Sequence, residues 1–467
     1  MNAPRSGGTL RRIHLLIRSN WISSLGAALM TIAVLAFATA WVAHAFGKFQ
    51  GPYVGILVLI VLPAVFVLGL ICVPAGLFLY RKQLNARVEA LADRPLYLAR
   101  AVAVITLINF AALGTAGYGG SAYMNSTQFC GMACHTAMEP EFVSYQRSPH
   151  KRVDCVHCHI GPGTESFVKA KLNGLSQLYH FVRDDWHRPI PTPVENLRPA
   201  DEICGECHDP EKYLGTQLLV RPRYREDDDV TPYVNVLLMR RGGTRPDGKS
   251  VGIHWHVHPD ARVEYIATDE RREHIPWMRV TYADGSERVF AADGVAHDDP
   301  PEGELRRMDC NDCHNRIGHE FERPEDAVDE AIAVGLISRR LPAIKRLALE
   351  ALRTEWTRDG AADGIRQQLQ SHYASNGSLD ESTRQLLEGA TEQIAAIWQR
   401  NVYPERKVGW NAYPALDTHF GCFRCHDDQH RDRAGRVVPQ TCDNCHVVLS
   451  EEEENPAILD ALGLRRR

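Results

Sequence analysis

Twelve of the thirteen cysteines fall in six pairs, and each pair is followed at once by histidine: Cys130/Cys134–His135, Cys155/Cys158–His159, Cys204/Cys207–His208, Cys310/Cys313–His314, Cys422/Cys425–His426 and Cys442/Cys445–His446. Five of these read C-x-x-C-H and the first reads C-x-x-x-C-H. Chance would supply roughly 0.02 C-x-x-C-H matches in a chain of this composition. Two cysteines at this spacing can form thioether bonds to the two vinyl groups of one porphyrin, which leaves the following histidine beneath the iron. The pattern therefore predicts six covalently bound haem c groups, with the six motif histidines as proximal ligands and one-electron redox chemistry as the task. Structural zinc also uses C-x-x-C pairs, but zinc has no need of a histidine after every second cysteine. Cys72 stands alone, inside an apolar run.

The segments that must position these sites divide sharply. Residues 1–119 hold 10 Lys/Arg and 2 Asp/Glu, against 43 and 56 in residues 120–467, so a basic, apolar front precedes an acidic remainder. The acidic part would repel phosphate, which argues against a nucleic-acid partner. Uncharged stretches at 21–47, 49–80 and 101–129 predict transmembrane helices at about 21–46, 53–80 and 98–118, each stretch long enough to cross a bilayer. Arg5, Arg11, Arg12 and Arg18 precede the first; Arg81, Lys82, Arg87, Arg94 and Arg100 lie between the second and third; only Lys48 lies between the first and second. That asymmetry places the N-terminus inside and everything after about residue 120 outside. The expectation is a multi-pass protein of the cytoplasmic membrane with its haem domain in the periplasm. A signal peptide cleaved after Ala43-His44-Ala45 is the alternative reading of the first segment, although its apolar region is long for a signal. Either reading leaves the haems on the same side.

Past the membrane domain (1–119), residues 120–208 form a haem core with motifs one to three, and 209–304 form a small β-rich insert. Alternating runs at 231–239, 252–258, 262–267, 277–282 and 287–291 mark its strands. Residues 305–322 return to the core with motif four, 323–400 show helical spacing, and 401–467 carry motifs five and six and a tail. The expected fold is thus three N-terminal transmembrane helices followed by a haem-packed, mainly α domain with a small β-rich insert. Much of the interior should be porphyrin, leaving little ordinary apolar core. Iron also needs a distal ligand on its second face. For haems 5 and 6 the candidates are His419 and His430, the latter four residues beyond His426 and in reach of haem 6. On the run 252–258, His254, His256 and His258 would share one strand face, which could be solvated or could offer a ligand.

Phe129-Cys-Gly-Met-Ala-Cys-His-Thr-Ala-Met138, Ser148-Pro149-His150, Cys155-Val-His-Cys-His159 and Lys169-Ala-Lys171 carry a family resemblance. Over about residues 98–208 and 305–320 the chain resembles the NapC/NirT family of membrane-anchored quinol dehydrogenases, including the NrfH type. It is also similar to the larger inner-membrane quinol-oxidising cytochromes of metal-respiring bacteria, which carry that core. The resemblance implies His150 as distal ligand of haem 4, Lys171 of haem 2 and His319 of haem 3, with Lys169 as a competitor of Lys171. At haem 1 it implies Met138 in place of His135, with His135 as the alternative, because this sequence has one extra residue between the cysteines and another before Met138. Quinol, in particular menaquinol, would approach beside haem 1, near the outer end of the third helix. The family's acidic proton acceptor has no counterpart at Leu178, so Asp184 and Asp185 stand in for it. Implied partners are the membrane quinone pool, lipid, and a periplasmic c-type cytochrome or reductase, in anaerobic, metal or nitrogen-oxide respiration. Electron flow in the reverse direction and a terminal nitrite-type reductase remain as alternatives. The second needs a haem with an open face, for which haems 1 and 5 qualify.

Overall fold

Residues 21–45 carry no charged side chain and form helix α1 (Trp21–Ala45), while Leu62–Leu79 forms α2, with Pro74 inside it. They belong to a computed structural model that describes residues 20–45, 61–80, 115, 118–133, 135–161, 163–192, 198–209, 215–244, 250–375 and 380–464. The two helices pack antiparallel through small residues. A Cβ on Gly26 would meet the Gly69 carbonyl at 2.7 Å, and one on Gly69 would meet Gly26 at the same distance, so these glycines set how closely the backbones approach. Ser23 Oγ donates to the Val73 carbonyl at 2.9 Å, and Trp21 Nε1 to the Tyr80 hydroxyl at 3.1 Å. By length and composition α2 could cross a membrane, whereas the apolar stretch of α1 is shorter, Trp21–Phe37. The expected third span, 98–118, lies almost wholly outside the described residues, as does the stretch 53–60 of the second.

The chain divides into two units, Met1–Glu139 and Pro140–Arg467. Two longer helices surround motif two: α3 (His135–Arg147) and α4 (Thr164–Arg183). Strands β1 (Gly215–Tyr224), β2 (Pro232–Thr244) and β3 (Ser250–Val251) open one sheet. Strands β4 (Ala261–Ile266), β5 (Trp277–Tyr282), β6 (Glu287–Ala291) and β7 (Leu305–Arg307) make a second, in the order β6-β5-β4-β7. All pairings are antiparallel. The first sheet is completed from the far end of the chain by β8 (His446–Glu453), which pairs with β2. With two four-stranded sheets the described residues are mixed helical and β rather than mainly α. The run 252–258 is not a strand. Gly252, at φ 92°, breaks it, and Ile253–Val257 form a 3-10 turn; a Cβ on Gly252 would sit 2.7 Å from the Arg240 carbonyl.

After motif four come α5 (Pro324–Ala333), α6 (Ile344–Arg353), α7 (Ala361–Ser375) and α8 (Glu381–Asn401). Pro324 opens α5, with Glu325 and Asp326 in the first turn, and Asp380 caps α8 by accepting from the Thr383 N–H at 2.7 Å. Their inward faces bury Leu349, Ile365, Leu369, Ile394 and Trp398 in one cluster. This corrects the expectation of little ordinary apolar core, because the segment carries no haem motif and must fold on its own apolar surface. Arg223 of β1 reaches Asp326 at 2.5 Å, and Lys345 reaches the buried Asp329 at 2.7 Å, so the strands and helices of this region are tied by charge as well.

Candidate metal centres

Motifs three, four and five are each wound into a single turn. The backbone N–H of His208 donates to the Cys204 carbonyl at 2.7 Å, that of His314 to Cys310 at 2.8 Å and that of His426 to Cys422 at 3.0 Å. Helical winding from first cysteine to histidine is what lets one planar ring meet all three side chains. Motif four is held further by a capping box: Asp309 accepts from Asn311 N–H at 2.9 Å while Asp312 accepts from Asp309 N–H at 2.7 Å. Arg306 clamps both carboxylates, and the Tyr265 hydroxyl donates to Asp312.

Each motif histidine from the second to the sixth faces another imidazole. Ring centroids lie 6.1 Å apart for His159 and His319, 6.1 Å for His208 and His150, 6.4 Å for His314 and His254, 5.8 Å for His426 and His256, and 6.0 Å for His446 and His419. A metal–imidazole bond is about 2 Å and the centroid sits about 1 Å behind the nitrogen, so two rings on opposite faces of one metal have centroids about 6 Å apart. The residues present therefore fit an iron between each pair.

The hydrogen bonds point the same way. His319 Nδ1 donates to the Glu141 carbonyl at 2.9 Å, His254 Nδ1 to Arg241 at 2.9 Å, His256 Nδ1 to Ile253 at 2.9 Å and His426 Nδ1 to Pro439 at 3.0 Å. A carbonyl only accepts, so Nδ1 carries the proton and, in the neutral ring, the Nε2 lone pair is left for a metal. Burial favours that neutral form. It lowers the pKa of His159, His254 and His256, and with the nearby Arg316 guanidinium it takes His319 down to about 4.

Consecutive motifs lie near one another: Cys158 and Cys204, Cys204 and Cys310, Cys313 and Cys422, and Cys422 and Cys445 are close enough to interact. The facing histidines cross this order. His150 precedes motif two but faces motif three, and His319 follows motif four but faces motif two.

Cys207 of motif three and Cys442 of motif six are exposed, and the other described motif cysteines are half-buried. The reason for Cys207 is its setting. Motif three begins at the end of the short turn Ala200–Cys204, where only Ala200 is buried, and residues 205–209 that follow are exposed. A thioether needs its sulfur only at the rim of the porphyrin, so Cys207 can still serve as an anchor, but with that rim at the surface rather than in a core.

His150, expected at haem 4, faces His208 of motif three; His319, expected at haem 3, faces His159 of motif two. That position opposite His159 was expected for Lys171, whose side chain is outside the described residues, as are those of Cys134 and His135. Met138 is half-buried in α3. His430 is not set opposite a motif histidine: its Nε2 donates to the Ile275 carbonyl at 2.7 Å and its Nδ1 lies 2.9 Å from Asp427 Oδ1, so neither nitrogen has a lone pair to spare. His419 faces motif six. Of the three insert histidines two face motifs, while His258 Nδ1 accepts from the Asp260 N–H at 3.2 Å. The signal for this pair was the spacing His-Trp-His after a glycine, which alternation disguised as a strand.

At the end of α4, Asp184 is left-handed (φ 57°) and pairs with Arg188. Asp185 bonds His180 Nδ1 at 2.9 Å and Arg183 at 3.1 Å, and the His180 bond holds its exposed carboxyl below the ordinary range. The same helix leaves Val168, Leu172, Leu175, Tyr179 and Val182 exposed at helical spacing along one face.

Covalent haem motifs backed by facing imidazoles, on a chain with a helix fit to cross a bilayer, define a c-type cytochrome with covalently bound haem c. Residues 94–190 match the model described as NapC/NirT cytochrome c family, N-terminal region. The chain is 37% identical over 425 residues to the cytochrome c-type protein ImcH of Geobacter sulfurreducens, covering 86% of this chain and 83% of that protein. No solved structure matches it. The chain belongs to the NapC/NirT cytochrome c family, whose members are membrane-anchored and act in electron transfer, as the residues around motifs one and two implied.

Proposed function

We propose that this protein is a hexahaem quinol dehydrogenase: it takes two electrons, one at a time, from a membrane quinol such as menaquinol, releases two protons outside, and delivers the electrons to a periplasmic redox partner. The observation that carries the reading is the set of five histidine pairs at 5.8–6.4 Å, one at each motif from the second to the sixth. Haem c, when bound, supplies reversible one-electron exchange at iron. The chain's own part is to hold the sites near one another and, at motifs two to six, to set imidazole on both faces of the iron. Closed faces favour a conduit over a nitrite-type reductase, which needs an open coordination position.

The membrane end of the proposal rests on α4. Its exposed apolar face, Val168, Leu172, Leu175, Tyr179 and Val182, suits the bilayer surface, and the same helix carries Lys171 and ends at Asp184 and Asp185. We assign Lys171 to the quinol end and Asp185 as proton acceptor, because its bond to His180 gives the proton an onward path; arginines engage both carboxylates, Arg188 that of Asp184 and Arg183 that of Asp185. Met138 or His135 completes the first site, and multi-pass anchoring places the remaining sites in the periplasm.

The test is anaerobic stopped-flow of the detergent-solubilised protein with a reduced menaquinone analogue, followed in the haem α-band. Rapid reduction sensitive to a quinol-site inhibitor is expected, slowed at least tenfold in Asp185→Asn. Haems that stay oxidised with quinol yet, once reduced, pass electrons to quinone would reverse the direction. No exchange either way would overturn the quinone reading altogether.

A further inference from the structure

The β-rich insert is the largest part of the second unit that the quinol reading leaves without a task. Its 3-10 turn, Ile253–Val257, projects His254 and His256 to different sites: the first ring lies 6.4 Å from His314 of motif four, the second 5.8 Å from His426 of motif five. A 3-10 helix advances about 120° per residue, so residues two apart diverge by about 120° and cannot address the same plane. We propose that this turn is a two-site clamp, with His254 the distal ligand of the haem on Cys310/Cys313 and His256 that of the haem on Cys422/Cys425. The proposal rests on the haem content assumed above, not on quinol as substrate.

The support of the turn is built for that task. Gly252 at φ 92° lets the chain lie against β2, where a Cβ would meet the Arg240 carbonyl at 2.7 Å and the Gly242 nitrogen at 2.8 Å. The Arg241 carbonyl of the same strand accepts the His254 Nδ1 proton at 2.9 Å, and the carbonyl of Ile253 accepts that of His256 at 2.9 Å, so in the neutral ring each Nε2 keeps its lone pair. Between the two rings, Trp255 packs against the cluster of Val263, Tyr265 and Phe290, and its ring lies 6.2 Å from Tyr282, which fixes the turn to the second sheet. One residue before Arg241, the Arg240 N–H donates to the Cys445 carbonyl of motif six at 2.8 Å. Strand β2 therefore holds the ligand for motif four and the backbone of motif six, while the turn beside it serves motif five. The insert thus ties the last three sites into one rigid group.

Two predicted consequences separate the clamp from a solvated surface turn. In His254→Gly or His256→Gly, electron paramagnetic resonance should show one of the six ferric haems turning from low to high spin, a different one in each variant, and two in the double variant. Added imidazole should restore the low-spin signal, and His258→Ala should leave every haem in its wild-type spin state. If glycine costs haem content, His254→Met and His256→Met supply the second readout: one haem per variant should gain the methionine–iron charge-transfer band and a raised potential. Wild-type spin states in both glycine variants, absence of the new band in the methionine variants, or loss of haem in both series would overturn the clamp. A wild-type count below six by pyridine haemochrome, or absence of quinol reactivity, would instead strike the reading of the previous subsection.

Discussion

Glu322 shows how much one carboxylate can hold together. Its oxygens accept from Arg147 of α3, Arg400 at 2.6 and 3.0 Å, and Asn401 at 2.9 Å in α8, and its own N–H donates to Asn401 at 3.0 Å. Burial pushes its pKa up, but the bonds from Arg147, Arg400 and Asn401 outweigh it and bring the group to about 2. A folded pKa below the unfolded one means the stability is full above the unfolded value, near 4.5, and is lost as pH falls towards 2. Glu322→Gln should therefore destabilise the folded protein by about 3 kcal/mol at pH 7, and in denaturant titrations the gap should narrow below about pH 4.5 and close as the pH reaches about 2. A variant as stable as the wild type at pH 7 would refute this. At this scale the sequence was most legible where chemistry is local. Cysteine pairs and proximal histidines are contiguous, so their spacing alone identifies them, although spacing says nothing of depth, and Cys207 lies at the surface. Offsets singled out His150 and His319, but an offset measures reach along the chain, not direction in space, and both face motifs other than those expected.

Among the elements, the four helices α5–α8 were readable because their periodicity reports a real apolar face. Leu349 and Ile394 are fully buried at that face. Leu349→Ala should cost 2–5 kcal/mol, roughly, through lost burial and the cavity left, without changing the haem spectrum. A spectral change would mean that this core and the haem sites are not separable. The turn Ile253–Val257 departs from its expected strand for an equally physical reason. Alternating polar and apolar residues imitate a strand, and nothing in the local pattern announces that Gly252 takes a positive φ. Strand β1 was not expected because it lacks clean alternation of buried and exposed residues.

For the whole molecule, the charge division matters most. Residues 120–467 carry 43 Lys/Arg and 56 Asp/Glu, and haem propionates would deepen that negative field. Electron transfer to a small basic cytochrome should then slow by about tenfold between low and high ionic strength, as screening removes the steering. Measured rates that are flat with salt would argue for a neutral docking face. The domain order was legible only in outline, since β8 returns from the C-terminus to pair with β2, a contact between residues more than 200 positions apart. Such long-range pairing leaves no mark on either strand's own sequence.

The crossing of the histidine pairs has a consequence for biogenesis. Polypeptides are made from the N-terminus, so His159 is synthesised long before His319, which faces it, and His256 long before His426. If haem is attached to each motif as it emerges, the second site must wait, one face bare, until the fourth motif has been made. Once iron joins the rings, each pair becomes a cross-link closing a long loop, as a disulfide would, and removes conformational freedom from the unfolded chain. A chain truncated before His319 would retain motif two with an unguarded iron, exposed to oxygen or stray ligands. Of the five pairs only this one waits for a later segment; in the other four the facing histidine, His150, His254, His256 or His419, is made before the motif it faces.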